Sequence, residues 1–88
     1  MDAKVLARIA AALVTATAEA KVRSQEYGID PEFRKLVRHA RELHFFMLVE
    51  LLFNDALLTE YFHGLLESTG NSLRGLEALS EMPDGKMQ

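Results

Sequence analysis

The chain has 88 residues, a net charge of −3 and no cysteine. A domain of this length buries only about 60–65% of the surface its unfolded form exposes, so it holds one small core at most. The acidic surplus provides no field for gripping phosphate backbones, and the missing thiols exclude disulfides, cysteine nucleophiles and thiolate zinc sites together. At 49% hydrophobic and 26% charged residues, the chain has enough apolar surface to offset the entropy of ordering, which argues against disorder.

Residues 2–26 read as one amphipathic helix. At about 100° per residue, Leu6, Ile9, Ala10, Leu13, Ala16, Thr17, Ala20 and Ser24 share a face, opposite Lys4, Arg8, Thr15, Glu19 and Glu26. Eight alanines in this segment favour helix and allow a neighbouring helix to approach closely. Lys4 and Arg8 followed by the charge-free run Ile9 to Ala18 imitate a secretory leader. The run holds Thr15 and Thr17, however, and its helical period continues past the imitated cleavage site, so a structural helix is the expected reading. No run reaches the roughly 18–20 apolar residues of a membrane span.

Gly28 is placed to close this helix, and Asp30-Pro31-Glu32 starts the next with a capping aspartate and a first-position proline. So short a turn sends the second helix back along the first. From Pro31 the helical period runs to Gly64, extending as far as Ser68. Its core face carries Phe33, Leu36, Ala40, Leu43, Met47, Leu51, Asn54, Leu58, Tyr61 and Leu65. The expected overhang beyond the first helix lies near Tyr61 to Leu66.

The opposite face of this second helix changes character along its length. Arg34, Lys35, Arg38, Arg41 and Glu42 suit solvent. Phe45, Val49, Leu52, Phe53 and Ala56 then form an apolar belt, and Thr59, Glu60, His63 and Glu67 are polar again. Ser68 to Ser72 reads as a turn before a short third helix carrying Leu73, Leu76, Leu79 and Met82. From Pro83 to Gln88 a flexible tail is expected. The charge is polarised: residues 1–44 carry eight Lys/Arg against six acids, and residues 45–88 carry two against seven.

The expected fold is all-α. A single helical domain over residues 1–82 is built as an antiparallel hairpin, with one helix of about 25 residues, one of about 35 and a short C-terminal helix. A second copy would complete a four-helix-bundle-like assembly. The belt can be covered by the third helix folding back, by a second copy, or by another protein, and the expectation is an intermolecular surface.

The candidate partner- or dimer-binding residues are therefore Phe45, Val49, Leu52, Phe53 and Ala56. The functional class expected is a small cytoplasmic, non-catalytic interaction module: an adaptor, an inhibitor or anti-activator, or a co-chaperone. It would act as a homodimer or on another protein, with no cofactor, nucleic acid or membrane. The alternative is a ferritin-like metal protein, because Glu60-x-x-His63 is the helical spacing that supplies two ligands in di-iron bundles. No Gly-rich phosphate loop and no nucleophile with an adjacent base is present, so an enzyme is not expected. His63-Gly64-Leu65 with Ser68, Asn71 and Leu73 weakly resembles histidine phosphotransfer domains, which would require helices packed around the histidine on both sequence sides and a basic neighbour, where this chain has Leu66 and Glu67. Asn54 is expected to fix register within the core face.

Overall fold

The computed structural model describes residues 3–53 and 59–85. Three helices fill these segments: α1 (Ala3–Tyr27), α2 (Pro31–Phe53) and α3 (Thr59–Ser80), with no strand among the described residues. They pack up, down and up, and all three pairs are in contact, α1 with α2 most extensively and α1 with α3 least. The body measures 44 × 18 × 16 Å.

The first turn forms as its chemistry requires. Gly28 takes φ of 81°, the left-handed conformation that glycine adopts without a Cβ clash, and its amide donates to the Ser24 carbonyl at 3.0 Å. Asp30 then caps α2: its Oδ1 accepts the Phe33 amide at 2.8 Å. Its Oδ2 accepts from Arg23 Nη2 at 3.0 Å, tying the end of α1 to the start of α2. The guanidinium of Arg23 also lies 4.6 Å from the centre of the Tyr27 ring. The Arg23 hydrogen bond, and after it the Phe33 amide, hold the Asp30 carboxyl below the usual carboxylate range.

The core divides along the length of the bundle. At the pole that holds the start of α1, Leu6, Ala10 and Leu13 pack with Met47, Leu51, Phe62 and Leu66. Toward the α1–α2 turn, Ala20 meets Ile29, Phe33, Val37 and Leu76. The α1 face expected from periodicity is the one buried, including Thr17 and Ser24, whose hydroxyls donate back to the Leu13 and Lys21 carbonyls at 2.8 Å each. Small side chains at Ala10, Ala16 and Ala20 are what let α1 lie close against its neighbours.

Two expectations fail together. The helix from Pro31 does not continue to Gly64; α2 has 23 residues and α3 has 22, so the long helix and its overhang are absent. Because a separate helix begins at Thr59, its phase is set anew. Tyr61, assigned to the core face, is 66% exposed, while Phe62 is 1% exposed and Leu66 is buried. The expected turn at residues 68–72 is likewise helix. Phe62, Leu66, Thr69, Leu73 and Leu76 recur at helical spacing on the buried side. Their packing, with Thr69 Oγ1 bonded back to the Leu65 carbonyl at 2.7 Å, outweighs the low propensity of the glycines and serines between them. Asn54 and Leu58, also assigned to the core face, lie outside the described residues.

Residues 83–85, expected within a free tail, are strapped to the first turn. Ile29 and Gly85 form an isolated antiparallel bridge. Arg34 donates to the carbonyls of Ser80 and Met82 at 3.0 and 2.9 Å and pairs with Asp84 at 2.5 Å. A cation satisfies the last carbonyl of α3, that of Ser80, and the Met82 carbonyl just beyond it, which explains why an arginine expected in solvent is partly buried.

Candidate functional site

Along α2 the inward face is occupied by Phe33, Val37, Ala40, Met47 and Leu51, and both α1 and α3 sit on that side. The outward side of its second half therefore meets no helix among the described residues. Phe45 is 65% exposed, Leu52 74% and Phe53 82%, with Phe46 and Leu48 exposed beside them and Val49 half-buried. Ala56 lies outside the described residues. Although α3 folds back along the bundle, it covers the other side of α2 and leaves the belt open.

Phe45, Phe46 and Val49 line a shallow depression of about 430 Å³ with Arg41 and Glu42 at its edge. Above it stand the exposed cations Lys35, Arg38 and Arg41. The outward stripe of α2 is thus basic for its first half and apolar for its second. Removing a large apolar side chain from water is worth about 1.5–3 kcal/mol. Three such chains on one ridge represent a gain comparable to the roughly 5–15 kcal/mol stability of a whole domain.

A second concavity, of about 650 Å³, runs between α1 and α3 and is lined by Val14, Ala18, Lys21, Leu65, Ser72 and Leu79, among others. Sequence reasoning missed it, since α3 was expected to begin only near Ser72. The alternation of small residues with exposed Val14 on α1 was the signal available. Its buried hydroxyls, those of Thr17, Ser24 and Thr69, are already bonded to their own helix.

Glu60 and His63 are exposed on α3. Among the described residues no three His, Asp or Glu side chains converge where they could hold a metal ion. His44 points inward to the α2–α3 seam, its Nε2 2.9 Å from the Leu66 carbonyl. His39 is exposed. No helix among the described residues is long and apolar enough to cross a membrane.

No family model matches the chain, and neither the curated proteins nor the solved structures contain a significant match to it. What the described residues define is an all-helical three-helix bundle bearing an exposed aromatic and aliphatic ridge.

Proposed function

We propose that this protein is a small non-catalytic protein-protein interaction module whose contact surface is the outward ridge of α2. The observation that carries this reading is the joint exposure of Phe45, Leu52 and Phe53 on one face of a helix whose opposite face is fully packed. Clustered aromatics at a helix surface supply contact area at low entropic cost, and a partner presenting its own apolar helix face would remove them from water. Roles as an adaptor, an inhibitor or anti-activator, or a co-chaperone all use such a surface. A cytoplasmic setting suits a chain without cysteine.

The test is a photoreactive amino acid installed at Phe53 and activated in cells that express the protein. A discrete adduct, with this chain or another, that disappears on Leu52→Glu while helicity is retained supports the reading. Absence of any discrete adduct overturns it. Stoichiometric iron or zinc in the purified protein, lost on Glu60→Ala or His63→Ala, would replace it with the metal-protein reading.

A further inference from the structure

We infer that the concavity between α1 and α3 is a binding site for a medium-chain fatty acid, its alkyl tail laid along the groove and its carboxylate at Lys21. The site is separate from the α2 ridge: among the described residues none of α2 borders the concavity, so an occupant there leaves the ridge free. Its volume of about 650 Å³ falls within the roughly 300–1,000 Å³ of small-molecule sites, which commonly lie between the helices of a bundle. Of the three helix pairs, α1 and α3 have the least extensive contact, and that looser packing is what leaves the groove.

The lining selects an apolar chain. Val14 and Leu65 stand toward one end, Leu76 and Leu79 toward the other. Between them Thr17 and Thr69 spend their hydroxyl protons on the Leu13 and Leu65 carbonyls, and Ser24 spends its own on the Lys21 carbonyl. A ligand rich in acceptors would give up water and find these donors already used, a loss that an alkyl chain does not incur. Ala20 packs in one cluster with Leu76, which puts Lys21 level with that end of the groove. From there, at about 1.5 Å per residue, the groove runs about 10 Å along α1 to Val14 and about 16 Å along α3 to Leu65, a length that suits an extended decanoate or laurate tail.

Lys21 sets the polarity of the ligand. Among the described residues it is the one charged side chain bordering the groove, and it has no ion-pair partner there. The nearest acids of α1, Glu19 and Glu26, border a separate depression with Val22 and Tyr27, while Glu67 and Glu77 of α3 border another at the α2–α3 seam. A chain with a net charge of −3 thus turns only a cation toward this groove. Gln25, one helical turn beyond Lys21 on the same face, also borders it, and its amide supplies a second donor for a carboxylate. An alkylammonium of equal length would meet Lys21 with like charge.

The test is calorimetric titration of laurate into the protein, kept below the concentration at which laurate forms micelles, with NMR amide shifts locating the site. Saturable single-site binding that shifts Thr17 and Thr69, and leaves Phe45 and Phe53 unmoved, is the expected result. Octanoate should bind at least about tenfold more weakly, since each methylene withdrawn from water adds to affinity. Lys21→Gln should weaken laurate about two- to fivefold, the scale of a solvent-accessible ion pair, and leave dodecanol unchanged. Gly75→Leu should abolish binding with helicity kept, because a Cβ at Gly75 meets nothing within 4 Å and the longer side chain occupies the groove. Absence of saturable binding overturns the inference, as do shifts centred on Phe45 and Phe53. So does dodecylamine binding as tightly as laurate, laurate affinity unchanged by Lys21→Gln, or a folded Gly75→Leu variant that binds like the wild type. Adsorption to phosphatidylglycerol vesicles without binding of monomeric laurate overturns it as well, by assigning the apolar surface to a bilayer.

Discussion

Ile29 and Gly85 exchange both backbone hydrogen bonds: the Ile29 amide reaches the Gly85 carbonyl at 2.6 Å, and the Gly85 amide returns to the Ile29 carbonyl at 3.0 Å. Ile29 is buried in the turn, so the chain after α3 is anchored on a rigid element rather than on a mobile loop. Arg34 completes the anchor by holding the carbonyls of Ser80 and Met82. Replacing Arg34 with alanine should cost about 1 kcal/mol, the usual scale for a solvent-accessible hydrogen-bond group. The diagnostic readout is hydrogen exchange, in which the Gly85 amide should lose protection while amides in the middle of α1 keep theirs.

Asp30 makes stability depend on acid. Its carboxyl is held below the ordinary range in the folded protein, chiefly by the Arg23 hydrogen bond, so the unfolded chain takes up its proton first as pH falls. The contribution is complete above the ordinary carboxylate range and is lost as pH drops through the lowered value. Asp30→Asn keeps an acceptor for the Phe33 amide but not the ion pair. Thermal melts should show the wild type more stable than Asp30→Asn at neutral pH and the two converging in acid. Parallel curves would remove Asp30 from the account.

The three glycines within α3 should respond differently to alanine. A Cβ at Gly64 or Gly75 meets nothing within 4 Å, so each substitution should stabilise by about 1 kcal/mol through helix propensity. At Gly70 the new Cβ would stand 3.1 Å from Nε2 of His44, forcing that ring away from the Leu66 carbonyl. Gly70→Ala should therefore fall short of the other two or destabilise, with the His44 ring resonances shifted. Equal gains at all three positions would mean that the seam is loose.

Adjacent aromatics at the start of α3 separate the two possible helix phases. Phe62→Ala should cost about 3–5 kcal/mol, enough to unfold a domain of this size, because the ring is enclosed by the core of the α1 pole. Tyr61→Ala should stay within about 0.5 kcal/mol, as an exposed substitution does. The reverse ranking in denaturant titrations would restore the single long helix.

The α1 face and the turn were legible because local chemistry alone determines them: periodicity selects Leu6 to Ser24, Gly28 closes the helix and Asp30 reopens one. The inward residues of α2 from Phe33 to Leu51 follow from the same period, with Val37 missed at the edge of the face. The split between α2 and α3 was not legible. Leu51 to Leu58 contains no Gly or Pro and the helical period carries through it, so the one local signal of a break, the cap- and turn-favouring pair Asn54-Asp55, is overridden by the periodicity. The error then propagated to Tyr61 and Phe62, because a helix that restarts keeps no memory of the earlier phase. Three weak formers in α3, Ser68, Gly70 and Ser72, read as a turn, although tertiary packing on Leu73 and Leu76 holds them helical. Of the belt residues, Phe45, Leu52 and Phe53 are exposed and Val49 half-buried, all four ahead of the break, while Ala56 lies outside the described residues. The strap could not have been foreseen, as backbone pairing between Ile29 and Gly85 leaves no trace in side-chain pattern.

An odd number of antiparallel helices has a practical corollary. The Ala3 end of the chain emerges beside Leu51 and Phe62, at the pole that carries Phe53, whereas Gly85 lies at the opposite pole of a 44 Å body. A fluorophore, tether or fusion partner attached beyond Gly85 therefore stands far from the ridge, while the same cargo attached ahead of Ala3 crowds it. Immobilisation through one terminus or the other turns the molecule end for end, offering the ridge to solution in one case and shielding it in the other.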